Sequence, residues 1–153
     1  MLDELPGQSG TYLLVFHSDK SNTVAVGRLG QLDIVPGYYF YIGSAFGPGG
    51  LRARIRHHHA ISTRPHWHLD YIRPSLTLVD AWYSPDELRY EHAWADSLYY
   101  TMQMRVPLSG LGSSDCRCES HFYFSIDKPD PKALQRALRN GNDNMILEMI
   151  STT

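Results

Sequence analysis

The chain predicts an α+β fold, a small sheet of three to four mostly antiparallel strands flanked by helices. Short β-branched and aromatic runs crowd residues 11–43 with only tight turns between them, as in an antiparallel meander. Beyond residue 43 helical and strand-like segments mix, so the sheet has helices to pack against. A length of 153 residues, 42% hydrophobic and 20% charged, suits one folded domain with a buried core.

Residues 11–17, TYLLVFH, read as the first strand, and SDKSN turns the chain. TVAVGRLGQLDI, 23–34, is strand-like with a bulge or bend at Gly27 and Gly30. After the Val-Pro-Gly turn, YYFYIG, 38–43, is the next strand. Gly47, Pro48, Gly49 and Gly50 break the chain. A helix is expected from near Gly50 to about Ile61, with Arg64-Pro65 marking its end. HWHLDYIRPS, 66–75, has room for a helical turn, and LTLVDAWY, 76–83, reads as a strand. Ser84-Pro85-Asp86-Glu87 resembles a helix start, with proline at the first position and acids in the first turn. That helix is expected to reach about Met104. A Gly- and Ser-rich loop follows to Asp115, then a strand at 121–126, HFYFSI. Pro131 opens a helix that Asn140-Gly141 stops after Arg139. DNMILEMIST, 143–152, reads as a final short helix whose Met145, Ile146, Met149 and Ile150 seal the core or a dimer.

Composition narrows the classes. No run of about 18 apolar residues exists, so no membrane helix is expected. The start, MLDELPGQSG, is acidic and polar, unlike a secretory signal. Cys116 and Cys118 are too close together to staple a fold, which points to a reducing, cytoplasmic setting. Net charge is −2, against a surface that coats nucleic acid everywhere. Locally the balance reverses. Residues 52–73 hold five arginines and five histidines against one acid, Asp70. Such a face suits phosphate, or it is a solvated helix face with charge to spare.

The order of the motifs carries a resemblance. Gly10-Thr11-Tyr12 opens the first strand and Tyr41-Ile42-Gly43 closes the third. A helix follows with Leu51, Arg54 and His58, and a later helix carries Glu91. This resembles the GIY-YIG nuclease superfamily. Within it, the chain is similar to a small branch with a Gly-rich insert after YIG (here AFGPGGL), an HWH-x-DY segment (His66 to Tyr71) and a GxSDCxCxSH segment (Gly112 to His121). The likeness covers roughly residues 10–125. The two tyrosine motifs lie further apart than is usual in the family, so an inserted hairpin strand is implied. On this basis the nuclease-like domain spans 1–126, with 127–153 a short helical extension packed on it.

The resemblance implies a divalent-metal-dependent endonuclease that hydrolyses DNA phosphodiester bonds, in DNA repair or processing, with RNA left open as substrate. Glu91 would bind magnesium or manganese. The sequence adds its own argument: Leu88, Glu91, Ala95, Leu98 and Met102 fall on one apolar stripe of the expected 86–104 helix. A carboxylate there needs a cation, or an arginine at the stripe's edge. Arg54 would hold the scissile phosphate, because a guanidinium fork matches two phosphate oxygens. Tyr12 would act as base, Tyr41 would orient water, and His58, one turn from Arg54, would assist. A phenol needs a nearby cation to serve as base at neutral pH. Ser44, Arg52, Arg56, His66 and His68 are candidates for nucleic-acid contact, with surface charge the plain alternative for the arginines. Gly47, Gly49 and Gly50 are expected either to aim N–H groups at a phosphate or to form a simple turn.

Cys116, Cys118 and His121, with His66 and His68, are residue types that bind zinc, although C-x-C is not the usual knuckle spacing. The simpler expectation is a hydrogen-bonded wall of His66, His68 and Asp70 against the GSSDCRC loop. Two functions of other classes stand beside the nuclease: a non-cleaving nucleic-acid-binding module and a zinc-containing interaction domain. A monomer and a homodimer are both compatible with the sequence.

Overall fold

The computed structural model describes residues 2–111 and 120–152. Along the chain come β1 (Gly10–Ser18), β2 (Asn22–Val26), β3 (Gly30–Ile34), β4 (Gly37–Ala45), α1 (Gly50–His59), α2 (His68–Ile72), β5 (Thr77–Ser84), α3 (Glu91–Asp96), β6 (Phe122–Ser125), α4 (Pro131–Arg139) and β7 (Glu148–Ser151). The fold is α+β, as expected. Its main sheet is larger than expected: five antiparallel strands in the order β6-β4-β1-β5-β7.

β1 is central and buried on both faces, which explains its unbroken apolar run. Tyr12, Leu14 and Phe16 point to a core shared with Leu51 and Ile55 of α1 and Leu69 and Ile72 of α2. Leu13 and Val15 point to the other face, where Trp94 and Ala95 of α3 and Leu134 and Leu138 of α4 lie. Alternation along one strand thus feeds two cores, one on each side of the sheet. The strand-like 23–34 segment is a hairpin. β2 and β3 pair as a separate two-stranded sheet, turning at Gly27, whose φ is +52°. The hairpin lies between Tyr12 of β1 and Tyr41 of β4.

Two expected helices are corrected. Residues 84–90 do not start α3, because Asp86 folds them into a turn. Its carboxylate accepts the Leu88 N–H at 3.0 Å and the Tyr90 hydroxyl at 2.9 Å. Side-chain bonds of this kind compete with helix. α3 begins at Glu91, and a π-helical turn over Ser97–Thr101 follows it. Leu88 is therefore exposed, and no continuous stripe runs from it to Met102. The second correction lies at the C-terminus. Residues 148–151 form a strand that pairs with Asp80–Tyr83 of β5. Without it the backbone groups on that side of β5 would lack partners, which outweighs the helical spacing of the methionines and isoleucines. Met145 is buried and Ile150 packs on the α1-side core, while Ile146 and Met149 stay exposed.

Candidate functional site

The site lies where the end of β1 meets β4, under α1. Antiparallel pairing sets Tyr12 opposite Gly43 and Leu14 opposite Tyr41, so both tyrosines project to the α1 side. Their ring centroids are 6.5 Å apart. Gly43 is required by this geometry, since a Cβ there would run into the Tyr12 phenol. Gly10 is needed for a similar reason where β1 meets α1: a Cβ would strike Leu51 and the Ser84 carbonyl.

α1 is held at both ends. Its Leu51 and Arg52 N–H groups donate to the carbonyls of Gln8 at 2.8 Å and Pro6 at 3.0 Å. Those donors are engaged inside the protein, so the helix start offers no full anion cradle. At the other end the buried Arg73 donates to the carbonyls of His58 and His59, each at 2.7 Å, and of Leu76 at 2.6 Å. This clamp places His58. The His58 Nε2 lies 3.1 Å from the Tyr12 hydroxyl, and its ring meets Tyr41 edge-on at 5.4 Å.

Arg54 sits half-buried one turn before His58. Its guanidinium stacks on Trp67 at 4.4 Å and donates to the Ser44 carbonyl at 3.1 Å. Arg54, His57 and Trp67 line a cleft of about 200 Å³ with Gly47, Pro48 and Gly50. Glu91 enters from α3, on the opposite face of the sheet. Its helix start is tied to β1 by the Tyr90 N–H, which donates to the Thr11 hydroxyl at 3.1 Å. Among the described residues its carboxylate has only long contacts, 4.0 Å to the Arg89 guanidinium and 3.9 Å to His121 Nδ1.

Burial dominates the electrostatics. It pushes the Tyr12 phenol well above its ordinary range; the coupling to Tyr41, which resists a second phenolate beside it, and the charge of Glu91 add to that, while Arg54 opposes it. Tyr41 is raised by burial too, against the pull of Arg54, with Asp70 and Glu91 adding to the rise. Burial lowers His58 to about 3, although Asp70 works the other way. At neutral pH both phenols therefore keep their protons and His58 is neutral. Burial alone would raise Asp70, but the His66 and Trp67 N–H groups and the His57 imidazole outweigh it and hold the carboxyl below its usual value.

Tyr12, Tyr41, Arg54 and His58 are thus brought together from β1, β4 and α1, with Glu91 of α3 near enough for its charge to raise both phenols. The other expected contacts are placed differently. Arg52 Nε donates to the Leu5 carbonyl at 2.7 Å, and Arg56 pairs with Asp3, so both lie against the N-terminal segment. His66 is exposed beside Trp67, and His68 is half-buried at the start of α2. Ser44 bears on the site through its carbonyl. Cys116 and Cys118 lie outside the described residues. His121 is buried beside Glu91, and its carbonyl accepts the Ile42 N–H at 2.9 Å.

Two contacts escape the sequence: the partnership of His57 with Asp70 and the Trp67 stack on Arg54. The HWHLD segment is visible there, but its partner across 13 residues of chain is not. Residues 11–142 match the family model described as a domain of unknown function, DUF123. No curated protein and no solved structure matches the chain. The matched span runs from the start of the Tyr12 strand past α4 and takes in every residue of the site, and the chain belongs to the DUF123 family.

Proposed function

We propose that the protein is a divalent-metal-dependent endonuclease of the GIY-YIG type, hydrolysing DNA phosphodiester bonds. The observation that carries this reading is the convergence of two phenols, a neutral imidazole, a stacked guanidinium and a weakly paired carboxylate from four elements. Glu91 fits a hard cation. It is a single carboxylate at the site's edge with no close partner among the described residues, and magnesium takes one such ligand and keeps its waters. A magnesium or manganese ion held there would supply charge relief at the phosphate.

The remaining chemistry belongs to the chain. Arg54, pre-oriented by Trp67, grips two phosphate oxygens. Tyr41 orients the attacking water. The raised phenols argue against a free phenolate, so Tyr12 works as a relay: it accepts the water's proton while passing its own to His58 Nε2. Asp70, whose carboxylate lies 3.8 Å from His58 Nδ1, stabilises the imidazolium that forms.

The test is a cleavage panel of duplex, nicked, flapped, branched and single-stranded DNA, with magnesium or manganese against EDTA. Metal-dependent cutting that Glu91→Ala abolishes is the expected result. Binding without cutting by both the parent and Glu91→Ala would replace this reading with that of a non-cleaving nucleic-acid module.

A further inference from the structure

Behind the His58 ring, on the side away from Tyr12, lies a second cluster that the proposed cleavage uses only for its charge. His57, His58 and Asp70 bring three ligand atoms within 4.8 Å of one another. His57 Nε2 is 3.0 Å and His58 Nδ1 3.8 Å from the same oxygen, Oδ1 of Asp70. The His58 and Asp70 side chains are 0% and 2% exposed, while that of His57 is 33% exposed.

His58 Nδ1 is the decisive atom. It is fully buried and has no hydrogen-bond partner among the described residues. If Nε2 accepts from Tyr12, the Nδ1–H faces Asp70 at 3.8 Å, too far for a hydrogen bond. If Nε2 donates to Tyr12, the Nδ1 lone pair faces a buried carboxylate with nothing between them. Either arrangement leaves a costly orphan in the core. A cation between Nδ1, His57 Nε2 and Asp70 removes it and leaves the His58 proton on Nε2, donated to the Tyr12 hydroxyl. In the metal-loaded chain Tyr12 is then the base supported by His58, in place of the relay to His58.

The donor set selects the ion. Two imidazoles and one carboxylate suit zinc, whereas magnesium and calcium prefer oxygen alone. Zinc bonds of about 2.0–2.1 Å set tetrahedral ligands ~3.3 Å apart, and the two separations of 3.0 and 3.8 Å straddle that spacing. The other oxygen of Asp70 is already oriented by the His66 and Trp67 N–H groups, at 2.8 and 3.0 Å. Outer hydrogen bonds of this kind fix a ligating carboxylate. His57 also lines the cleft beside Arg54, which gives the ion a way in and leaves a fourth position for water. We infer that His57 Nε2, His58 Nδ1 and Asp70 Oδ1 form a zinc site, distinct from Glu91 and from the cysteine pair.

The test is titration of the EDTA-stripped full chain with zinc, and with cobalt(II) as a coloured probe of tetrahedral geometry. The parent should bind one ion per chain with a strong visible cobalt spectrum. His57→Gln and Asp70→Asn should lose it, with circular dichroism reporting the fold. If Asp70→Asn unfolds, the partly exposed His57 decides. Glu91→Ala and the double variant Cys116→Ser/Cys118→Ser should keep the spectrum. Absence of stoichiometric binding in the parent, binding untouched in a folded His57→Gln, or loss in the cysteine variant would each overturn the proposal. None of these readouts depends on cleavage, so failure of the nuclease reading leaves the result interpretable.

Discussion

Tyr12 shows how tightly single residues constrain this site. Its ring lies over Gly43 and its hydroxyl reaches His58, leaving no room for a side chain across the strand pair. Gly43→Ala should destabilise the fold by about 1–3 kcal/mol through overpacking, read by urea denaturation. Unchanged stability would mean that the phenol moves aside freely. Tyr12→Phe leaves His58 Nε2 without its partner, at a cost of about 1–3 kcal/mol; on the nuclease reading it also lowers cleavage about 10²–10⁴-fold. His58 ties stability to pH. Burial depresses it from 6.5 to about 3 in the folded chain, while Asp70 raises it and His57, Arg54 and Arg73 lower it. The unfolded chain therefore takes up a proton below about pH 6.5 that the folded chain refuses. Its contribution is fully present above that pH and is lost as pH falls toward 3, by up to ~1.4 kcal/mol per pH unit. Chemical unfolding of metal-free protein between pH 7 and 4 should show this slope, and His58→Gln should flatten it. An equally steep slope in the variant would assign the effect to other groups. The stripe argued for Glu91 fails because its helix begins only there, whereas the nearness of Tyr12, Tyr41, Arg54 and His58 was legible because motif order and helical spacing encode it locally. Asp70 was not, because its link to His57 exists only once α2 docks against α1.

At the scale of elements, α1 depends on what grips its ends more than on its own sequence. Three histidines and three arginines in eight residues give it little apolar face beyond Leu51 and Ile55. Arg73 compensates by binding the last carbonyls from outside the helix. Arg73→Met should cost about 2–4 kcal/mol, since several buried acceptors lose a charged donor. Arg73→Lys should recover only part of it, because a single ammonium cannot span three carbonyls. Thermal melts of the three proteins settle the order, and a lysine variant as stable as the parent would refute the clamp. The strands and α1 were readable because each carries its period within its own residues. α3 and β7 were not. Asp86 turns a proline-led helix signal into a loop through bonds to Leu88 and Tyr90. β7 owes its conformation to the unpaired edge of β5, which lies more than sixty residues earlier in the chain.

Across the whole molecule, the basic density at 52–73 is largely structural. Arg52 and Arg56 bind the N-terminal segment, Arg73 caps α1 and Arg64 is exposed, leaving Arg54 as the guanidinium that this stretch brings to the site. The sheet divides the protein into two cores, and the site stands at the seam, with α1 contributing from one side and α3 from the other. Such a seam is only as rigid as the sheet, and β7 closes one of its edges. Ending the chain after Leu147 would remove the Glu148–Ser151 pairing with β5 and the bond from the Thr152 N–H to the Val79 carbonyl, 2.8 Å long. It would also take away Ile150, which packs on the α1-side core. The exposed edge of β5 then offers backbone groups to another chain. The shortened protein should melt several degrees lower, as a loss of ~1–2 kcal/mol would give in a domain of this size. It should also shift toward larger species with rising concentration in size-exclusion chromatography. Restoring residues 148–152 with Ile150→Ala separates the two effects: edge pairing returns and the oligomers disappear, while some of the stability loss remains. A truncated chain that stays the same size and melts with the parent would show that β5 tolerates an open edge, and that the site needs nothing from the last strand.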